Sequence, residues 1–135
     1  MKRIREIKKN NIVLARYIPS SSWNTGLTFF SKDKEYIQVG TWKYEKGKEL
    51  LAHIHNRVER KINRTQEVLF IRKGKIEASI YDLKGKLVKK IYAGSGDILV
   101  LLNSGHGYKI LEDNTEVLEI KNGPYLGAEI DRRRI

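Results

Sequence analysis

The fold is decided by residues 67–81, which read EVLFIRKGKIEASIY. The stretch begins with a short unbroken apolar run, Val68–Ile71, of the kind found in strands that are covered on both faces. It ends with apolar and polar residues in alternation over Ile76–Tyr81, which is typical of a half-buried strand. Gly74 lies between the two in a turn context. The stretch therefore predicts two strands joined by a turn.

The same signals recur elsewhere along the chain. Alternation over Ile37–Tyr44 and an apolar run over Ile98–Leu102 predict two more strands. Near the start, Ile4–Lys8 and Asn11–Ile18 predict a hairpin within residues 1–20, with one amphipathic helical turn over Ile4–Lys8 as the alternative. No long helical stripe of apolar residues occurs. The predicted fold is all-β, a single small antiparallel β-barrel or jelly roll.

Length and composition exclude several classes of protein. The 135 residues predict one domain, and 27 Lys and Arg against 16 Asp and Glu give a formal net charge of +11. No apolar run reaches the roughly 20 residues that span a bilayer, and the basic start lacks the apolar core of a signal peptide. We therefore expect a cytoplasmic protein without membrane contact. The absence of cysteine leaves imidazole and carboxylate as the metal ligands.

The three histidines fall into two groups. His53 and His55 are separated by one residue, so on a strand they project to the same face and can chelate one ion. His106 follows a predicted strand and a turn that contains Gly105. A pair such as His53 and His55 is equally compatible with two partly exposed residues on a basic surface.

The residues around these histidines form a pattern that resembles the cupin superfamily. They match its two motifs, with Gly47, His53, His55, Glu67 and Gly74 in the first and Gly96, Asp97 and His106 in the second. The pattern covers residues 37–121, and within the superfamily the chain resembles small single-domain cupins of unassigned activity. The resemblance implies one cupin domain over residues 1–135, with a C-terminal tail at 122–135.

The resemblance also implies a metal site at one mouth of the barrel. Its ligands are His53, His55, Glu67 and His106. Such a set suits a divalent transition metal, whether Zn, Fe, Mn, Co, Ni or Cu. The family places its Glu three or four residues after the histidine pair, and Glu59 fits that spacing, whereas eleven residues separate His55 from Glu67. Glu67 is preferred because a strand continues from it to Gly74, and Glu59 stays the alternative ligand.

The segment between the predicted ligands is strongly cationic. It carries four such side chains, Arg57, Arg60, Lys61 and Arg64. Arginine suits carboxylate and phosphate groups, so these residues are candidate contacts to a small anionic ligand, the alternative being a solvated flap. Tyr108 is a candidate hydrogen-bond donor or acid, the alternative being a packing role.

The family resemblance leads to three functional hypotheses. The first is a metal-dependent enzyme acting on an anionic or sugar-type substrate, an isomerase or epimerase with oxygenase chemistry also open. Its catalytic proton carriers would be Glu67 and Tyr108. The second is a non-catalytic cupin that binds a metabolite or metal. The third is a metal-free nucleotide-sugar ketoisomerase or epimerase, in which His53 or His55 acts as the base.

The sequence bears on two kinds of macromolecular partner, a second copy of the chain and a nucleic acid. A homodimer is expected, because small barrels expose edge strands that need cover. The net charge raises nucleic-acid binding, but no segment interleaves aromatic residues with arginine, so specific binding is not expected. The denser groups at Lys2–Lys9 and Arg132–Arg134 predict at most weak, salt-sensitive binding.

Overall fold

Antiparallel strands make up nearly all of the regular structure in the computed structural model, which describes all 135 residues. The strands are β1 (Arg5–Lys9), β2 (Ile12–Ile18), β3 (Gly26–Phe29), β4 (Gly40–Lys43), β5 (Glu67–Lys73), β6 (Lys75–Tyr81), β7 (Leu87–Gly94), β8 (Ile98–Leu101), β9 (Gly105–Ile110) and β10 (Glu116–Lys121). A 3-10 turn at Ser20–Ser22 and a short helix, α1 (Ala128–Asp131), complete the elements. The prediction of an all-β chain is confirmed. No helix is long and apolar enough to cross a membrane.

The strands are distributed over three sheets. A five-stranded sheet has the order β1-β2-β8-β5-β10, a three-stranded sheet has the order β7-β6-β9, and β3 pairs with β4. The three sheets do not close into one barrel. Because β5 and β6 belong to different sheets, the predicted turn at Gly74 is a corner at which the chain passes from one sheet to the next.

Apolar side chains from the two larger sheets form the main core. Leu69 and Ile71 of β5 belong to the same buried cluster as Ile76 of β6. Successive side chains on a strand point to opposite faces, and Val68 belongs to a second cluster together with Val39. Strand β5 is thus covered on both faces, which explains its unbroken apolar run.

The N-terminal segment forms a hairpin and not a helical turn. Strands β1 and β2 pair antiparallel, and β2 continues the sheet by pairing with β8. The hairpin turn holds Asn10 and Asn11 at φ angles of 50° and 62°. Asparagine tolerates this left-handed region better than most residues, because its short side chain can bond locally.

Two strand predictions are corrected by the structure. The strand expected over Ile37–Tyr44 is reduced to β4, since Ile37 lies in a bend and the next two residues form no regular structure. The strand expected at His53 and His55 is wrong, because residues 48–64 form no strand and are exposed. No other strand pairs with this segment, and its run of charged residues has low β-propensity, so nothing compensates for the cost of ordering it as a strand.

Replacing Gly74 with alanine is expected to lower the free energy of unfolding by about 2 to 4 kcal/mol. Gly74 has a φ of 81°, and a Cβ atom there would lie 2.9 Å from Thr115 Cα. Gly47→Ala is the matched control, because Gly47 has a φ of 89° but no atom near its added Cβ. Urea titration of both variants measures the difference. Equal losses would contradict the role given to the contact with Thr115.

Candidate functional site

The candidate site lies where β5, β9 and β10 approach each other at one side of the two larger sheets. Strand β5 carries Glu67, and the register of the sheet sets Lys121 of β10 directly beside it. On the facing sheet, β9 carries His106 and Tyr108, which pair with Ile80 and Ala78 of β6. Two of the four predicted metal ligands and both predicted catalytic residues are therefore neighbours in the structure.

The centre of the site is a carboxylate beside an imidazole. His106 Nε2 lies 3.0 Å from Glu67 Oε2, while the Glu67 side chain is only 8% exposed. The two atoms do not form a hydrogen bond, so Glu67 Oε2 is buried without a hydrogen-bond partner, as is His106 Nδ1. Buried polar atoms are nearly always bonded, and the exceptions need a reason such as a catalytic role.

His106 and Lys121 together keep Glu67 ionised. The Nζ atom of Lys121 lies 3.1 Å from Glu67 Oε1 and 3.9 Å from Glu119 Oε1. Burial by itself would raise the pKa of Glu67, but the neighbouring His106 and Lys121 outweigh it and hold that pKa below its usual value. The hydrogen bond to Glu67 in turn raises the pKa of Lys121. Glu67 is therefore an anion at neutral pH, and Lys121 is a cation.

Tyr108 lies beside His106 and carries the phenol group of the site. Its ring stacks on that of His106, with centroids 5.4 Å apart. Burial raises the pKa of Tyr108 first of all, and the negative charges of Glu67 and Glu119 raise it further. The hydroxyl therefore stays protonated at neutral pH and can give a hydrogen bond or a proton to the oxygen atom of a bound ligand.

The other two predicted ligands lie elsewhere in the chain. His53 and His55 are exposed, and their ring centroids are 4.9 Å apart within the irregular segment. Glu59 is exposed in the same segment. No group of three or more His, Asp or Glu side chains is arranged to hold a metal ion.

The metal predicted from the resemblance does not fit the residues as they are arranged. Only Glu67 and His106 are adjacent, and no third His, Asp or Glu side chain joins them, whereas a protein metal site of this kind usually needs at least three such ligands. What the arrangement offers by itself is an anionic carboxylate, an imidazole and a protonated phenol close to one another.

The four cationic candidates for substrate contact also lie in the irregular segment. Arg57, Arg60, Lys61 and Arg64 are all exposed. The end of the segment is held in place near the site, because Asn122 of the C-terminal tail donates to the Arg64 carbonyl at 3.3 Å and accepts from the Gln66 amide at 2.6 Å. The cations therefore lie just before β5 in the chain, and none of them has a carboxylate partner.

Sequence reasoning missed Lys121 and Glu119. Both occur in the run Glu116–Lys121, in which Leu118 and Ile120 alternate with charged residues. That alternation is a strand signal. It could have located β10, but only the pairing of β10 with β5 brings Lys121 to Glu67.

Comparison with known proteins yields no relative. No protein-family model matches the chain, and no curated protein or solved structure is significantly similar to it. The function proposed below therefore depends on the residues of the site.

Proposed function

We propose that this chain is an isomerase or epimerase for a small anionic or sugar-type substrate and that it moves protons without a bound metal. The observation that carries the proposal is the pair of the buried Glu67 and the half-buried His106, 3.0 Å apart, with Tyr108 stacked beside His106. A site that isomerises a hydroxy-carbonyl compound needs a base near the carbon and an acid near the oxygen. Here the Glu67–His106 pair is the base and Tyr108 is the acid.

The reaction is a proton transfer in two directions. The Glu67–His106 pair accepts the proton from the carbon next to the substrate carbonyl, while Tyr108 donates its proton to the carbonyl oxygen, which gives an enediol. For isomerisation the pair returns its proton to the former carbonyl carbon while the neighbouring enediol hydroxyl gives its proton to Tyr108. For epimerisation a proton returns to the original carbon on its opposite face and Tyr108 recovers its proton from the former carbonyl oxygen. Lys121 keeps Glu67 ionised throughout. No oxidant or further reactant is consumed.

The anionic part of the substrate is assigned to the cationic segment before β5. Arg57, Arg60, Lys61 and Arg64 have no carboxylate neighbours, so their charges are free for a phosphate or carboxylate group. A phosphorylated sugar or a nucleotide-linked sugar fits both the acid–base pair and this charge.

Solvent exchange tests the proposed reaction. The chelator-treated protein is incubated in deuterated water with a panel of sugar phosphates and nucleotide-linked sugars, and proton NMR follows the position next to the carbonyl. We expect deuterium to enter that position and a new isomer to form. Ligands that raise the thermal midpoint without any exchange would overturn the proposal in favour of a non-catalytic binding cupin.

A second candidate function is metal binding, and the observation that favours it is the exposed pair His53 and His55. A metal titration followed by elemental analysis tests it. The four-ligand site requires stoichiometric uptake that is lost in Glu67→Ala and retained in Glu59→Ala. Uptake that depends on the two histidines alone would show a surface chelate and contradict the predicted ligand set.

The finer architecture and the assembly belong to the same proposal. A closed cupin barrel requires residues 48–64 to pair as a strand, so its backbone amides should be protected from hydrogen exchange in solution. A homodimer should give twice the mass of one chain in light scattering. Rapid exchange throughout the segment and a monomeric mass would each contradict the corresponding part.

A further inference from the structure

A groove lies on the side of the molecule opposite the candidate site, between the outer strands β1 and β7 of the two larger sheets. It consists of two adjoining hollows of ≈ 460 and ≈ 490 Å³. Arg5 and Ile91 line both hollows, so the two lie next to each other. None of the residues that line the groove belongs to the candidate site at Glu67 and His106.

Cationic side chains dominate the lining of the groove. Some have carboxylate partners, since Lys2, Lys8 and Lys90 lie within 4 Å of Asp97, Glu6 and Glu77. Four others have none, and these are Arg3, Arg5, Lys75 and Lys89. Exposed like charges that face one concavity without counter-charges create a positive potential that attracts anions.

Aromatic rings position two of these cations. The Arg5 guanidinium carbon lies 4.8 Å from the centroid of the buried Tyr17 ring, and Lys75 Nζ lies 6.0 Å from that of Tyr92. Tyr92 is itself 49% exposed at the groove. A partly exposed ring among cations can stack on a nucleobase while the cations contact phosphates.

The lining of the groove favours a polyanion over a membrane surface. Most of its residues are cationic, whereas its apolar side chains offer little exposed surface to lipid, since Ile7 and Ile91 are 7% and 2% exposed and Val88 is half-buried. The cations are also too many for edge protection alone, which a single charged residue on a strand can provide.

We propose that the β1/β7 groove binds single-stranded nucleic acid through its phosphate backbone, with Arg3, Arg5, Lys75 and Lys89 as the contacting cations and Tyr92 as a stacking surface. Binding of this kind reads no sequence, because phosphate contacts carry no base information. It is independent of the function proposed for Glu67 and His106.

Fluorescence anisotropy with a labelled oligonucleotide of about 12 residues tests the proposal. With four phosphate contacts, affinity should fall about 50-fold between about 50 and 200 mM salt. In the triple variant Arg3→Gln, Lys75→Gln, Lys89→Gln, binding should weaken at least about 10-fold at low salt, and the remaining salt dependence should fall to about 3-fold.

The control is a second triple variant with the same loss of charge, Lys34→Gln, Lys43→Gln, Lys46→Gln, whose lysines are exposed and lie outside the groove. It should bind like the unmodified protein. Equal weakening in both variants would overturn the proposal, because net charge alone would then explain binding. Binding to anionic vesicles but not to the oligonucleotide would overturn it as well. Thermal midpoints verify that both variants fold, and the single variant Lys89→Gln provides a milder test.

Discussion

Asp97→Ala is expected to lower the free energy of unfolding by about 3 to 5 kcal/mol, the largest effect on stability of any substitution considered. Asp97 is 2% exposed and accepts three hydrogen bonds, from the Tyr17 hydroxyl at 2.8 Å and from the Ser20 and Gly94 amides at 2.9 Å. It thereby connects β2, the 3-10 turn and the end of β7. Alanine would leave the buried Tyr17 hydroxyl and two part-buried amides without this acceptor.

Two controls separate the hydrogen bonds from the charge of Asp97. Asp97→Asn keeps one acceptor oxygen, so we expect a loss of about 1 to 2 kcal/mol. Asp113→Ala removes an exposed carboxylate and should change stability by less than about 0.5 kcal/mol. Urea unfolding of the three variants gives the comparison. A loss below about 1 kcal/mol in Asp97→Ala would refute the role assigned to this residue.

Glu67→Gln and His106→Gln are each expected to lower kcat/KM by about 10²- to 10⁴-fold in the solvent-exchange assay. Glutamine keeps the shape of Glu67 but cannot accept a proton, and the imidazole it leaves behind loses the adjacent negative charge. Because the two groups act as a pair, the double variant should be little worse than either single one.

The pH dependence follows from the directions of the two pKa shifts. The pKa of Glu67 is lowered, so this carboxyl group stays ionised throughout the pH range in which a glutamate usually titrates. It takes up a proton only in more acidic solution. The pKa of Tyr108 is raised, so the phenol loses its proton only above its usual range. Neither group should change charge between about pH 5 and pH 9. A pH step in that window that vanishes in Tyr108→Phe would contradict this assignment.

Glu116→Gln is the matched control for the activity measurement. Glu116 lies at the end of β10 opposite to Lys121 and forms an ion pair with Arg72 on the surface, away from the candidate site. Its exchange rate should equal that of the unmodified protein, and the thermal midpoint of Glu67→Gln shows whether the fold is intact. A Glu67→Gln variant that is folded and retains its rate within about threefold would remove the pair from the mechanism.

Much of the architecture could be predicted from local signals. The apolar run Val68–Ile71, the alternation over Ile76–Tyr81 and the turn at Gly74 each correspond to a feature of the structure. These succeed because strand periodicity and left-handed glycine turns are determined by residues close together in the chain. The prediction at His53 and His55 fails for the complementary reason, since strand formation there needs a partner that no local pattern specifies.

The candidate site shows the same division. The family resemblance singled out Glu67 and His106, and the position of Tyr108 near His106 made it a candidate as well. The sequence could not reveal that Lys121, 54 positions after Glu67, would neutralise it from the adjacent strand at 3.1 Å. The sequence could not show either that His53 and His55 lie outside the candidate site.

The turn at Gly74 could be predicted from the sequence, whereas the hydrogen bonds that Asp97 accepts from Tyr17 and Ser20 depend on the tertiary structure. The chain on its own determines the strands, the turns, the positive net charge and the absence of thiol chemistry, since these depend on composition and short-range pattern. Tertiary structure decided the strand order, which places β10 beside β5, and the packing of the two larger sheets, which brings β1 near β7. These contacts gather Glu67, His106 and Lys121 on one side and the cations of the β1/β7 groove on the other, because only the folded chain brings such distant side chains within reach of each other.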